Sequence, residues 1–404
     1  MLRVLTLSTL FPDALRSSFG IFVERQTLAL AAREDVEVEI VAPIAMPPWP
    51  LRRHPRYSDM AALPRHEIWK GMLVHRPRFT HLPATGSRLR PWMMARALLP
   101  KLREIRERFP FDVIDTEFFF PDGPAAMRLA EALDVPFSIK ARGSDIHYWG
   151  ARPQSGVQID KAAARAGGLV AVSEALKSDM IARGMDGDKI TVLYAGIDRH
   201  RFKLRDREKA KKALGVSGPL ITTVGTLSGL KGQHIVIEAL AGIPDATLIL
   251  AGEGPRRKAL TDQVEALNLS GRVRMPGNLS HDDVATLLSA ADVMALPSER
   301  EGLANAWVEA LASGTPVVIT DVGGAREIVD RPEAGKIVAR DSQAVADAIE
   351  TILADPPDRE AVRATVEEFS WDRTAQALRD QLQSVVRQAS KGSPMVNDRL
   401  ASSG

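Results

Sequence analysis

Twelve short apolar runs, separated by turn residues and amphipathic stretches, decide what this chain can fold into. In the first half the runs fall at 4–7, 36–41, 113–114, 137–140, 169–172 and 190–193, with helical periodicity near 22–32, 123–133 and 173–182. In the second half they fall at 220–224, 247–250, 273–275, 293–296, 317–319 and 336–338. Helical stretches lie between and after them at 233–240, 255–267, 281–290, 305–312, 325–329 and 343–353. Strand and helix in alternation imply parallel sheets with crossover helices. The expectation is an α/β chain of two doubly wound domains in tandem, and 404 residues leave room for them. Ser173 is placed to cap the helix after it, its hydroxyl accepting from an orphan backbone N–H.

The first domain is expected over 1–198 and the second over 199–370. Between them, 198–212 (DRHRFKLRDREKAKK) is dense in charge and reads as a solvated linker or helix face. The segment 371–390 is periodic again and is expected as a helix packing back across the first domain. A polar, flexible tail is expected over 391–404.

Composition narrows the chemistry. The chain has no cysteine, which excludes thiol nucleophiles, disulfides and thiolate metal sites, and suits a reducing cytoplasm. With 53 Lys and Arg against 51 Asp and Glu it is too balanced for a dedicated nucleic-acid binder. No apolar run is long enough for a transmembrane helix. The opening segment 1–11 reads as a buried strand rather than a targeting signal. Asp186 and Asp188 sit in a turn (GMDGDK) and read as turn residues rather than metal ligands. Gly252 and Gly254 lack the third glycine of a dinucleotide fingerprint, and no Walker lysine motif or nucleophile elbow is present.

Residues 46–110 depart from the regular pattern. They hold 14 Lys and Arg against 4 Asp and Glu, three of the six tryptophans, and prolines that oppose a long regular element early on. Two readings stay open. One is a loop-rich insertion whose tryptophans cap the first domain's core. The other is a surface for an anionic or lipid-linked acceptor at a membrane, where cations meet headgroups and indoles sit at the boundary.

The stretch 296–324 (LPSEREGLANAWVEALASGTPVVITDVGG) carries the chemistry. A strand ends near Leu296, a loop carries Glu301 and Gly302, and a helix starts near Ala304 or Asn305. The first turn of a helix attracts phosphate through its free N–H groups and dipole. Gly302 allows close approach of a ligand. Glu301 lies before that turn and Glu309 about one turn inside the helix, so a ligand at the tip meets one carboxylate on each side. Each carboxylate can accept from a pair of sugar hydroxyls. A second piece, 224–232 (VGTLSGLKG), places Lys231 as a point cation at the mouth of another helix.

Together these pieces resemble the retaining glycosyltransferases of family 4, which have the GT-B fold. The resemblance extends through 19–26 (FGIFVERQ), Gly196-Ile197-Asp198, Gly252-Glu253-Gly254-Pro255, Gly277-Asn278-Leu279 and 314–324. It implies two Rossmann-like domains facing a cleft, with a C-terminal helix crossing back. It also implies roles. Glu301 holds hydroxyls of the transferred sugar, and Glu309 holds the ribose diol. The main chain of Gly302, Leu303, Ala304 and Asn305, with Lys231, binds the diphosphate. The main chain near Leu279 meets the base, and Gly20 approaches the diphosphate from the first domain. No cofactor and no metal are implied, because cations and a helix tip neutralise the leaving group.

Three positions depart from the family pattern. Thr226 stands where an arginine is common, and Glu117 and Arg142 stand where histidines are common. Arg142 is therefore expected to replace the missing cation or to bind an anionic acceptor. Glu117 or Asp145 is expected to orient the acceptor hydroxyl. The implied activity is transfer of a sugar from a UDP-sugar, or second a GDP-sugar, to a glycan or lipid-linked acceptor in envelope or extracellular polysaccharide assembly. The enzyme is expected in the cytoplasm or peripheral at the inner membrane face, without nucleic-acid partners. A nucleotide-sugar epimerase and a non-catalytic two-domain sugar-binding protein are the rivals; leakage of donor sugar to water separates the last from a transferase.

Overall fold

The computed structural model describes residues 1–16, 19–81 and 88–392, so nearly all of the expected polar tail lies outside the described residues. The chain divides into two compact units. Unit 1 comprises Met1–Val172, Lys177–Leu193 and the residues from Thr374; unit 2 comprises Ser173–Leu176 and Tyr194–Arg373. The changeover at Leu193 precedes the boundary expected after residue 198. The reason is local: Ile197 is buried in unit 2, and its N–H donates to the Phe369 carbonyl at 3.2 Å.

Unit 1 contains strands β1 (Leu2–Leu7), β2 (Val36–Val41), β3 (Ile44–Met46), β4 (His66–Trp69), β5 (Met72–His75), β6 (Arg78–Thr80), β7 (Val113–Thr116), β8 (Phe137–Ala141), β9 (Gly168–Ala171) and β10 (Ile190–Val192). Eight of them form one sheet in the order β10-β9-β8-β7-β1-β2-β5-β4, and β3 pairs with β6 apart from it. All the pairings in the eight-stranded sheet are parallel except that of β4 with β5. The central strands are buried along their whole length, and their apolar residues are the ones visible in the sequence, although β7 and β8 also bury Asp115, Thr116, Ser138 and Lys140.

The last described helix, Trp371–Gly392, covers one face of this sheet. Leu378, Leu382 and Val385 are buried among Leu2, Val4, Val36, Val113 and Val170. Each such side chain contributes roughly 1.5–3 kcal/mol. Gly168 gives the helix room: a Cβ there would stand 2.1 Å from the Gln381 amide nitrogen, which donates instead to Ser138 at 3.0 Å.

The stretch 44–110 holds more regular structure than its prolines suggested. A helix of 19 residues runs Arg90–Arg108 and buries Met94, Leu98, Leu102 and Ile105. Pro91 sits in its first turn, where no N–H is needed, and Pro100 is tolerated inside because the packed face outweighs one lost hydrogen bond. The tryptophans divide between the two readings. Trp69 packs on the core, its indole N–H donating to Glu24, whereas Trp49 and Trp92 are 66% and 46% exposed. Some of the cations are paired with acids: buried Arg76 with Glu67 and exposed Arg108 with Glu39.

Unit 2 contains β11 (Leu220–Val224), β12 (Thr247–Ala251), β13 (Val273–Gly277), β14 (Val293–Leu296), β15 (Val317–Thr320) and β16 (Gly335–Val338). Its sheet is parallel throughout, in the order β13-β12-β11-β14-β15-β16. The strand order turns back between β11 and β14, the place where such sheets bind ligands. The charged stretch 198–212 is only partly a solvated face. Phe202 is fully buried, and Lys211 and Arg207 pair with Asp292 beneath the helix Arg207–Ala213.

Asp122, in unit 1, is fully buried and accepts from the Thr9 N–H at 2.7 Å. Burial pushes its pKa from 3.8 to about 7, against the Thr9 hydrogen bonds and Arg90. The folded chain thus holds a proton there that the unfolded chain releases near pH 3.8, so stability falls as pH rises towards about 7. Replacing Asp122 by Asn should flatten the fall in thermal midpoint between pH 5 and pH 8, an effect on the order of a few kcal/mol. An unchanged slope would refute the buried proton.

Candidate active site

Two loops at the turning point of the unit 2 sheet are stitched together. The Glu299 N–H donates to the Leu230 carbonyl at 2.7 Å, joining the loop after β14 to the loop after β11. Gly232 sits at φ +74, and a Cβ there would stand 2.2 Å from the Pro297 carbonyl oxygen. Arg340 spans both loops, donating to Pro297 at 3.1 Å and to Gly229 at 2.9 Å. A third loop, after β15, packs beneath them. The Gly324 N–H donates to the Gly302 carbonyl at 2.7 Å, and a Cβ on Gly323 would meet that oxygen at 2.4 Å.

This stitching places Lys231 on Glu301. The ammonium lies 2.5 Å from one carboxylate oxygen, which also accepts from the Ser298 hydroxyl at 2.7 Å. The Thr320 hydroxyl in turn donates to the Ser298 carbonyl. Both side chains keep an exposed edge, 25% for Lys231 and 11% for Glu301.

The helix Asn305–Ala312 begins four residues later, headed by Ala304, which supplies no side-chain cap. Such an uncapped start attracts an anion through its first N–H groups. Asn305 is exposed, Leu303 is partly buried, and Gly302 and Ala304 are buried. Glu309 is partly exposed on the same helix, beside the fully buried Trp307. A cavity of about 200 Å³ adjoins the ends of β11 and β12, lined by Val224, Gly225, Thr226, Gly252, Glu253 and Leu279. Thr226 is exposed there, and its carbonyl accepts from Gln233 at 2.9 Å. Thr226, Lys231, Leu279, 301–305 and Glu309 thus all lie in unit 2; Thr226 and Leu279 line the cavity, and Lys231 pairs with Glu301.

Sequence reasoning passed over Ser298, Thr320, Gln233 and Arg340. Ser298 stood inside the quoted motif, but its partner is set by loop geometry. Arg340 lies beyond β16 and carried no local signal.

The unit 1 residues form their own cluster. Gly20 opens the helix Ile21–Ala31 at φ +68, and a Cβ there would meet the Leu10 carbonyl oxygen at 2.3 Å. Glu117 is fully buried and accepts from Gln26 at 2.6 Å, from Lys140 at 3.1 Å and from Arg142. Burial opposes its charge, but Lys140 and Arg142 outweigh burial and lower its pKa. Asp115 beside it is pushed up to about 8, by burial first and by the Glu117 charge second. Asp145 is also fully buried; it accepts from the Phe119 N–H at 3.1 Å and the Arg142 N–H at 2.9 Å.

These contacts bear on the expectations for Glu117, Asp145 and Arg142. Neither Glu117 nor Asp145 exposes an edge to an acceptor hydroxyl; each holds the backbone or side chain of Arg142 instead. Arg142 pairs with Glu117 and lies over the Phe22 ring at 4.4 Å.

The comparisons bear on both units. Residues 21–201 match the model of Glycosyltransferase Family 4, and residues 205–369 match that of Glycosyl transferases group 1. The chain belongs to glycosyltransferase family 4. It is a glycosyltransferase with the GT-B fold. TuaC of Bacillus subtilis (strain 168), whose name assigns it as a glycosyltransferase to teichuronic acid biosynthesis, is 27% identical over 96% of this chain and 99% of its own. The D-inositol 3-phosphate glycosyltransferase of Mycobacterium tuberculosis (strain F11) is 37% identical over 48% of this chain and 44% of its own. Among solved structures, Anabaena Alr3699/HepE in complex with UDP superposes with a TM-score of 0.67 at 23% identity, over 97% of this chain and 99% of that one. The sucrose-phosphate synthase of Thermosynechococcus elongatus gives 0.70 at 19% identity, over 97% and 98%.

Gly232→Ala is the direct test of the stitched loops. The added Cβ strains a left-handed residue and forces Gly232 away from Pro297, which should cost about 1–3 kcal/mol. It should also weaken nucleotide binding about tenfold or more, measured by titration calorimetry, since 1.4 kcal/mol corresponds to tenfold. Wild-type affinity would show that the loops act independently.

Proposed function

We propose that this glycosyltransferase moves a sugar from a UDP-sugar, with retained anomeric configuration, to a glycan or lipid-linked acceptor. The process is assembly of an envelope or extracellular polysaccharide, and the enzyme works as a peripheral protein at the cytoplasmic membrane face. The observation that carries the reading is the Lys231–Glu301 pair held beside the tip of the helix Asn305–Ala312. The HepE complexes with UDP and UDP-glucose favour a uridine donor, and TuaC favours an envelope polymer.

A diphosphate at the helix tip competes with Glu301 for Lys231. As the ammonium turns to phosphate, the carboxylate is released to accept from hydroxyls of the transferred sugar. Glu309 takes the ribose diol, and the cavity by Leu279 takes the base. The acceptor oxygen attacks the anomeric carbon on the face from which the diphosphate leaves. The carbon–phosphate-oxygen bond breaks as the new glycosidic bond forms, and the acceptor proton passes to the departing phosphate oxygen. Lys231 and the helix N–H groups neutralise that phosphate, so no donor metal is assigned.

A thermal-shift panel of UDP-, GDP-, ADP- and dTDP-sugars should show the largest shift with a UDP-sugar. At about 100 times Kd a ligand adds roughly 2.7 kcal/mol. No shift with any of them would sink the reading, and a larger GDP shift would replace uridine. Glu309→Ala should lose UDP affinity and turnover together, whereas Glu301→Ala should lower kcat with UDP affinity largely kept. Turnover should persist in excess chelator; strict dependence on Mg²⁺ or Mn²⁺ would overturn the assignment of phosphate charge to Lys231 and the helix.

A further inference from the structure

Unit 1 carries an apolar groove rimmed by arginines, and three separate stretches of sequence build it. Its volume is about 680 Å³. Leu89 and Trp92 come from the start of the helix Arg90–Arg108, and Val157 comes from the helix Pro153–Arg165. They are 41%, 46% and 70% exposed, a costly display of apolar surface unless something covers it. Arg88 and Arg128 line the same groove.

Two further arginines flank it on aromatic faces. Arg96 lies over the Trp92 ring at 5.5 Å. Arg152, immediately before the helix Pro153–Arg165, lies over the Tyr148 ring at 4.2 Å, and Tyr148 is 49% exposed. None of these four arginines has a carboxylate partner among the described residues. The nearest acid in sequence on the helix Pro153–Arg165, Asp160, is bound by Arg183 at 2.6 Å. Some other unit 1 cations are matched to acids, as Arg76 is to Glu67 and Arg108 to Glu39. Unmatched guanidinium groups around exposed indole and aliphatic surface complement a layer of phosphate above hydrocarbon.

We propose that this groove docks on an anionic phospholipid bilayer, with Trp92, Leu89 and Val157 entering the interface and Arg88, Arg96, Arg128 and Arg152 meeting the phosphates. The inference rests on the peripheral-membrane reading above and specifies its surface. It also moves that surface. Half of the cations and the most exposed apolar residue lie outside 46–110, at Arg128, Arg152 and Val157. The Trp49–Arg53 stack, 5.5 Å apart in the basic segment itself, is the comparison site.

The experiment is vesicle flotation of the full chain with phosphatidylcholine alone and with phosphatidylcholine containing phosphatidylglycerol. Three variants are run beside wild type: Trp92→Ser with Val157→Ser, Arg96→Glu with Arg128→Glu, and Trp49→Ser with Arg53→Glu. Wild type should float with the anionic vesicles and not with the neutral ones. Each groove variant should bind about tenfold more weakly or worse, and added salt should weaken wild type most. Hydrolysis of donor UDP-sugar by water, read in the absence of vesicles, should be unchanged in both groove variants, which separates a lost surface from a misfolded chain.

Wild-type flotation that only the Trp49 variant abolishes would overturn the groove while keeping the membrane reading. Absence of wild-type flotation would overturn both. Equal flotation with neutral vesicles would overturn the assignment of the arginines to phosphate.

Discussion

Unit 2 of this enzyme depends on one backbone contact, the Glu299 N–H on the Leu230 carbonyl. It joins the loops after β11 and β14, neighbours in the sheet at the point where strand order reverses. Close approach of the two loops is possible only because Gly232 has no Cβ to meet Pro297. From that contact follow the position of Lys231 against Glu301 and the seating of the loop that leads into the helix Asn305–Ala312. A charged pair at a partly exposed site contributes little stability by itself. Its value is positional: the strands and stitched loops hold it, partly exposed, beside the start of the helix Asn305–Ala312.

Unit 1 solves a different problem, that of keeping charge inside. Asp115, Glu117, Lys140 and Arg142 share one buried patch. Unpaired, any of them would be expensive, and together they leave one acid, Asp115, protonated. The arrangement fixes Arg142 from three directions: its guanidinium on Glu117, its backbone N–H on Asp145 and its face on Phe22. What looked in the sequence like replacements for two histidines is therefore one coupled structure. Changing Glu117 alone would leave Arg142 without its ion-pair partner, whereas changing Arg142 alone would leave Glu117 with Lys140 as its cation.

The strands and helices of unit 2 were legible almost residue for residue, because a parallel sheet covered on both faces writes itself as apolar runs. The expected and observed bounds of Leu220–Val224, His281–Ala290 and Asn305–Ala312 coincide. The motif spacing around Glu301 and Glu309 was legible for the same reason, since both lie on regular elements or at their edges. The helix Arg90–Arg108 was hidden by two prolines and a dense run of arginines, and only its packed face explains it. The partners of Glu117 and Arg142 were hidden because burial, not residue type, decides whether a carboxylate meets a substrate or a neighbouring cation.

The helix Trp371–Gly392 has a consequence for how the chain is made. Its leucines cover strands that leave the ribosome first, yet the helix itself follows the whole of unit 2. Throughout synthesis of unit 2, β1, β2, β7 and β9 keep an uncovered apolar face. Unit 1 is thus completed last although it is translated first, and unit 2 is free to reach its own fold before its companion does.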